Sequence, residues 1–166
     1  TGTTGTTGAT GPGLATPLSA TMASQSFTTT STLFNWTAQP HPAFNPVTGN
    51  YTVMQTGPYL ITFSTQLTLL SAQTISLGSS VNPAVEVRRI LPTATTLATA
   101  KVGILDVNVV LVLTLRALVQ GQLSTTAVAQ LNAGDVVSVN YIANGLTLNV
   151  NLQNSNLSIF YLGATP

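Results

Sequence analysis

Side chains that could perform acid–base or nucleophilic chemistry are few in this sequence. His41 is the only histidine, Glu86, Asp106 and Asp135 are the only acidic residues, and cysteine is absent. Acid–base catalysis needs paired titratable groups, and nucleophilic catalysis needs a nucleophile with an orienting base. Serine and threonine are abundant, but the G-x-S-x-G nucleophile motif does not occur. We therefore expect that the protein is not an enzyme.

His41 lies between Pro40 and Pro42 in a predicted loop. With no second histidine, no cysteine and few carboxylates near it in the sequence, it is interpreted as a loop residue and not as a metal ligand or base. We predict no catalytic, cofactor-binding or metal-binding residues, and no cofactor.

The shortage of charge is the main compositional feature. The chain has four Lys plus Arg and three Asp plus Glu, so 4% of its 166 residues are charged, against about 25% in typical domains. So few basic residues cannot follow a phosphate backbone, which argues against nucleic acid as a partner. The surface must be threonine, serine, asparagine and glutamine, or it must be largely buried against other subunits.

The most apolar window, Val102 to Val119, is interrupted by Asp106, Asn108 and Arg116. A membrane-spanning helix needs about 20 predominantly apolar residues. We therefore predict no membrane span, and interpret Asp106 to Val119 as a strand that is covered on both faces.

The strongest secondary-structure signal is an alternation that follows a break at Gly57-Pro58. One face is aromatic and aliphatic, and the other is neutral and mostly hydrogen-bonding. A period of two is typical of a half-buried β-strand. The residues of the predicted core face are Tyr59, Ile61, Phe63, Thr65 and Leu67.

Turn signals separate further short strands along the chain. Asn45 to Asn50 and Asn132 to Asp135 are predicted turns, and Asn144-Gly145 is the strongest hairpin signal. Ala84 to Leu91 is charged and is predicted to be a solvated edge strand. No segment has capped helical periodicity. Eight to ten strands with turns between them predict an all-β, antiparallel sandwich or barrel.

The first 13 residues repeat glycine with a period of three. Gly2, Gly5, Gly8 and Gly11 open four triplets, the pattern of collagen, in which only glycine fits at the axis of three wound chains. A flexible Gly/Thr linker is the alternative, since four triplets are too few for a stable triple helix alone. We interpret residues 1–13 as the end of a collagen-like stalk, residues 14–23 as a linker and residues 24–166 as a globular head.

Four motifs in the head occur in an order that resembles the globular domain of the C1q and tumour necrosis factor superfamily. They are Asn45-Pro-x-Thr-Gly-x-Tyr-Thr, Thr56-Gly-Pro-Tyr-x-Ile-x-Phe63, Leu131-Asn-Ala-Gly-Asp-x-Val-x-Val139 and Leu157-Ser-Ile-Phe-x-Leu162. With the threonine-rich triplets before it, the chain is similar to bacterial collagen-like glycoproteins of spore surfaces. The resemblance implies a ten-strand jelly roll that forms a homotrimer. The acidic residues that bind calcium in some animal members have no counterparts here.

From this resemblance we expect a non-enzymatic, extracellular structural protein. Its head would register the triple-helical stalk and form part of a spore or cell surface layer, with O-linked sugar on the stalk threonines. The alternatives are a recognition or adhesion head that binds a carbohydrate or host protein, and a phage or viral fibre head.

The neutral strand faces are the expected trimer interface, because the resemblance places these strands in the inner sheet of such trimers. An unpaired charge near a three-fold axis meets two copies of itself, which fits the absence of charge on these strands. The candidate interface residues are Leu60, Thr62, Ser64, Gln66, Ser124, Thr126, Val128, Gln130, Leu157, Ile159 and Tyr161.

Overall fold

A computed structural model gives the fold and describes residues 16–69, 73–76, 82–102, 112–115, 121–146 and 149–163. These described residues form thirteen strands and no helix. The strands are β1 Leu18–Phe27, β2 Ser31–Thr32, β3 Thr37–Ala38, β4 Phe44–Asn45, β5 Asn50–Thr52, β6 Gly57–Leu69, β7 Gln73–Ser76, β8 Ala84–Leu91, β9 Thr95–Lys101, β10 Val112–Leu115, β11 Gly121–Leu131, β12 Val136–Ile142 and β13 Val150–Tyr161.

The strands form two antiparallel sheets and one separate ribbon. The first sheet has the order β11-β6-β13-β1-β3, and the second has the order β4-β5-β12-β8-β9 with β2 also paired to β12. The two-stranded ribbon is β10-β7. The apolar faces of both sheets supply the side chains of one hydrophobic core. The predicted all-β jelly-roll sandwich is confirmed. The number of strands exceeds the predicted eight to ten because the thirteen include β2 to β5, four short strands of two or three residues each.

Strand β6 lies in the middle of the first sheet, between β11 and β13. The predicted core face is confirmed, because Tyr59, Ile61, Phe63, Thr65 and Leu67 are all buried. The buried hydroxyl of Thr65 is satisfied by Ser155 Oγ on β13, at 2.7 Å. The intervening side chains from 60 to 68 face away from the core and are half-buried.

The predicted turn from Asn45 to Asn50 is confirmed as the link between β4 and β5, whose register pairs these two residues. The Asn45 Oδ1 atom accepts hydrogen bonds from the backbone N–H groups of Val47 (3.0 Å) and Thr48 (3.2 Å). Gly49 has a φ of 73°, and a Cβ there would collide with the Leu33 carbonyl oxygen. Only glycine meets both requirements.

The interpretation of Ala84 to Leu91 as a solvated edge strand was wrong. Strand β8 pairs with β12 on one side and β9 on the other, and β9 is the edge. The physical reason is that Val85 and Val87 are fully buried in the core, which outweighs the charges beside them. The Arg89 guanidinium reaches the Asp135 carboxylate, with Nη1 at 3.6 Å from Oδ2.

Asn144 and Gly145 form the predicted turn, with φ values of 35° and 83°. Leu146 N–H donates to the Ala143 carbonyl at 2.8 Å. They do not form a hairpin, because β12 belongs to the second sheet whereas β13 pairs with β6 and β1 in the first. The turn changes the chain direction locally. Strand β13 then pairs with β6 and β1, where its core face is buried.

Strand β1 begins at Leu18, so the predicted linker over residues 14–23 was too long. Leu18, Ala20 and Met22 are buried, because they alternate towards the core in register with β13. Residues 1–13, with the glycine triplets, lie outside the described residues. Most of Asp106 to Val119 does as well, apart from the pairing of β10 with β7.

Candidate functional site: an uncharged outer face

The first sheet turns one face away from the core, and we call the side chains on it the outer face. Its members come from four adjacent strands, and the ladders of β11, β6, β13 and β1 fix their relative positions. None of them is charged. The outer face comprises Gln122, Ser124, Thr126, Val128 and Gln130 of β11, Leu60, Thr62, Ser64 and Gln66 of β6, Asn156, Ser158 and Phe160 of β13, and Ser19 and Thr21 of β1.

An apolar row crosses one end of the outer face. Val128 lies opposite Leu60, and Leu60 lies opposite Phe160 on its other side. Val128 is 70% exposed and Phe160 is 39% exposed. Strand β1 begins at Leu18, opposite Ile159, so the chain enters the head at the end of the sheet that carries this row.

Hydroxyl and amide side chains occupy the rest of the outer face. One row runs from Thr126 through Thr62 to Ser158, and the next runs from Ser124 through Ser64 to Asn156. Beyond them Gln66 Oε1 accepts a hydrogen bond of 2.9 Å from Asn154 Nδ2. Neutral groups of this kind can be covered by another protein surface without leaving a charge unpaired.

The structure puts eight of the predicted interface residues on the outer face. They are half-buried on β6 and exposed on β11. The eight are Leu60, Thr62, Ser64, Gln66, Ser124, Thr126, Val128 and Gln130.

The prediction for the last strand was wrong by one residue. Leu157 and Ile159 are each 2% exposed and lie in the core, opposite Phe63 and Ile61 of β6. Tyr161 is half-buried and packs on Tyr59, with ring centroids 5.2 Å apart. The outward residues of β13 are Asn156, Ser158 and Phe160. The polar Asn156 and Ser158, which alternate with the apolar Leu157 and Ile159, are the signal that identifies the core face.

The two described acidic residues, Glu86 and Asp135, have structural contacts. Asp135 Oδ2 accepts a hydrogen bond of 3.0 Å from Asn132 N–H, and Asp135 is 3% exposed, so its carboxylate stabilises the predicted turn from Asn132 to Asp135. Glu86 Oε2 lies 3.6 Å from Arg88 Nε. The same oxygen accepts a hydrogen bond of 3.0 Å from the Thr96 hydroxyl. Among the described residues, no three His, Asp or Glu side chains are grouped to hold a metal ion.

Burial changes the titration of three core tyrosines. Loss of hydration raises the pKa of Tyr141 to about 12, and burial beside Tyr59 raises that of Tyr51 to about 12. Burial also raises the pKa of Tyr59. A raised phenol pKa disfavours the phenolate, so these groups are not activated nucleophiles.

No family model matches the chain, and no curated protein matches its sequence. Solved structures do resemble it. The structure of Eiger TNF from S. frugiperda is 15% identical, has a TM-score of 0.60, and is matched over 91% of this chain and 96% of that one. The fold is that of the tumour necrosis factor and C1q heads.

Two further structures agree with this TNF/C1q-like fold. The globular domain of zebrafish complement 1qA protein is 15% identical over 90% of this chain and 98% of that one, with a TM-score of 0.54. Murine APRIL is 14% identical over 88% of this chain and 98% of its own chain, with a TM-score of 0.53. At these identities the likeness establishes the fold alone. In the described residues, no helix is long and apolar enough to cross a membrane.

Proposed function

We propose that this chain is a non-enzymatic trimerisation head, which joins three copies of itself through the outer face and registers a triple-helical stalk. The observation that carries the proposal is the uncharged outer face on a TNF/C1q-like fold. An exposed strand face normally carries charged residues, whereas obligate interfaces are more apolar and depleted in charge. Covering this face with a second and third copy would account for its composition.

The apolar row supports the assignment of the stalk end. It lies where β1 begins, and the glycine triplets precede β1 in the sequence. In a three-fold assembly the three rows of Val128, Leu60 and Phe160 come close to the axis at that end. Their contact brings three N-terminal segments together, which removes much of the entropic cost of starting a triple helix.

The cellular setting is part of the same proposal. A collagen-like stalk with a trimeric head suits an extracellular structural protein of a spore or cell surface layer. The Gly-Thr-Thr triplets offer threonine hydroxyls for O-linked sugar, as in the collagen-like glycoproteins that the chain resembles. The partner that the proposal requires is the chain itself.

Registration of the stalk is testable with the triplet segment of this chain lengthened to about ten Gly-Thr-Thr repeats. Circular dichroism should show a triple helix that melts cooperatively in the version with the wild-type head. The same stalk on a Val128→Asp head should show none, while the head keeps its β spectrum. A triple helix that forms equally well on both heads would contradict the registering role.

Recognition of a carbohydrate or host protein is the second candidate, and a phage or viral fibre head would share the same assembly. A groove of about 360 Å³ on the second sheet favours recognition. Phe44 and Ile90 are among its apolar lining residues, and Asn50 and Thr52 are among its polar ones. A glycan array probed with the assembled protein tests this reading. Binding that Thr52→Tyr abolishes would assign recognition to the groove, and no binding would leave the structural role.

A further inference from the structure

Two grooves share Leu91, the last residue of β8 in the second sheet. The first groove is the one of about 360 Å³ described above, and the second has a volume of about 650 Å³ and is lined by the turn from Asn132 to Asp135. Leu91 is 53% exposed, although it is a large apolar residue that lies outside the outer face. It therefore offers an aliphatic surface at the point that the two grooves have in common.

The first groove has a fixed shape because strand pairing and a tight turn hold its lining. Thr52 of β5 lies opposite Val136 of β12, which in turn lies opposite Leu91. The β4–β5 turn, which also lines the groove, is held by a hydrogen bond of 2.8 Å from Gly49 N–H to the Asn45 carbonyl. A preformed site loses little conformational freedom when a ligand binds.

Three polar side chains of the first groove keep free hydrogen-bonding groups. The hydroxyls of Thr48 and Thr52 and the side-chain amide of Asn50 have no hydrogen-bond partner in the described part of the chain. Hydroxyl and amide groups both donate and accept. The described lining residues of this groove include no charged side chain, so a carboxylate, phosphate or ammonium group would lose its hydration there without gaining a charged partner.

The first groove therefore matches an uncharged ligand that has several hydroxyl groups and an apolar face. A sugar ring has both, because its hydroxyls surround a ring whose faces carry C–H groups. We propose that the two grooves bind a short, uncharged oligosaccharide, with one ring in the first groove against Leu91 and the next ring in the second groove.

An extended peptide matches the first groove less well. Peptide recognition on a sheet commonly uses an unpaired strand edge, whereas β5 has β4 on one side and β12 on the other. The second groove also suits an uncharged ring. The Asp135 carboxylate that lines it is 3% exposed and lies 3.6 Å from Arg89 Nη1, so its charge is already matched within the protein.

This inference deepens the recognition role given above as the second candidate, and rests on it, but it does not depend on trimerisation. None of the described residues that line the two grooves belongs to the outer face. Sugar binding should therefore be the same in the wild type and in Val128→Asp. A failure to trimerise and a failure to bind sugar are separate results.

The test is an NMR titration of the complete, ¹⁵N-labelled chain with a defined set of sugars. The set is the methyl glycosides of glucose, galactose, mannose and N-acetylglucosamine, a disaccharide that contains each of them, and the C6-carboxylate form of each glycoside as its charged counterpart. We expect at least one neutral glycoside to cause saturable shifts of the Gly49, Asn50 and Thr52 amides. Its disaccharide should bind more tightly and also shift Gly134, and its carboxylate form should bind at least about tenfold more weakly.

Two variants test the contacts. Thr52→Val removes a hydroxyl and Leu91→Ala removes the aliphatic surface, and each should weaken binding about tenfold. The matched controls are Thr99→Val, at an exposed position of β9 in the same sheet, and Leu162→Ala, at a residue that is 51% exposed and lies away from both grooves. Both should bind as the wild type does, and all four variants should keep the wild-type β spectrum.

Three results would overturn the proposal. The first is the absence of saturable shifts with every neutral sugar of the set, or shifts that lie outside the two grooves. The second is equal binding of a neutral glycoside and its carboxylate form. The third is wild-type affinity in both Thr52→Val and Leu91→Ala.

Discussion

Val128→Asp is the substitution that most clearly separates assembly from folding. Val128 is 70% exposed in the single chain, so replacing it removes little core contact. Exposed positions of this kind usually change the free energy of unfolding by no more than about 0.5 kcal/mol. The Val128→Asp head should therefore remain folded as a monomer, with a melting temperature close to that of the monomeric wild-type head.

The same substitution should be severe for a trimer. Burying a valine fully is worth about 1.5–3 kcal/mol, so covering the exposed 70% contributes about 1–2 kcal/mol per subunit. The aspartate variant lacks this stabilisation, and in a trimer it would place three carboxylates near the three-fold axis. At an effective dielectric constant of 20, two such charges at 8 Å repel by about 2 kcal/mol, so three pairs cost about 6 kcal/mol.

Light scattering coupled to size-exclusion chromatography at micromolar concentration measures the outcome. Val128→Asp should elute as a folded monomer. The matched control is Val47→Asp, since Val47 is 67% exposed but lies in the β4–β5 turn, away from the outer face. Val128→Asn, which removes the apolar side chain without adding charge, should weaken the trimer less. A Val128→Asp protein that stays trimeric would show that the outer face is not the interface.

The remaining predictions concern the tyrosines and pH. The buried hydroxyl of Tyr141 has no hydrogen-bond partner among the described residues, so Tyr141→Phe should stabilise the fold by about 1 kcal/mol in chemical denaturation. Tyr59→Phe should instead destabilise it by about 1 kcal/mol, because the Tyr59 hydroxyl donates to the Gln55 carbonyl at 2.8 Å; equal effects of both would refute this. Melting temperatures at pH 4 and pH 9 should nearly coincide, because few groups titrate, and a large gap would reveal a buried pair that dominates stability. Above pH 10 the unfolded chain loses tyrosine protons that Tyr51 and Tyr141 retain to about 12, so stability should fall by about 1.4 kcal/mol per pH unit for each.

Where hydrophobic alternation was unbroken and unambiguous, the sequence predicted the structure well. The core face of β6 and the turn from Asn45 to Asn50 follow from local rules, period two for the strand and turn chemistry for the loop. The outward face of β11 followed in the same way, because its exposed residues alternate with the buried Leu123, Ala127 and Leu131.

Long-range packing explains the failures. The charges of β8 indicated an edge, yet its position between two strands depends on partners that no local pattern specifies. Strand β12 buries Ser138 and Asn140 as well as its apolar face, because Thr32 donates to Asn140 Oδ1 at 2.8 Å and Asn140 donates to Ser138 at 2.9 Å. Thr32 is over a hundred residues away, so alternation alone could not predict this network.

His41 Nε2 lies 2.9 Å from the Thr16 carbonyl oxygen, and Nδ1 accepts a hydrogen bond of 3.2 Å from Ala43 N–H; neither contact could be predicted from the sequence. The contact with Thr16 spans 25 residues, and no spacing rule predicts a contact between a proline-flanked loop and the start of β1. The loop assignment itself was correct.

Sedimentation equilibrium of residues 14–166 measures whether the head trimerises, because this fragment lacks the glycine triplets and must assemble through the head alone. We expect a single species of three times the chain mass at micromolar concentration, and a folded monomer for Val128→Asp under the same conditions. A clean monomer for the wild-type fragment would contradict the proposal that the uncharged outer face joins three copies of this chain.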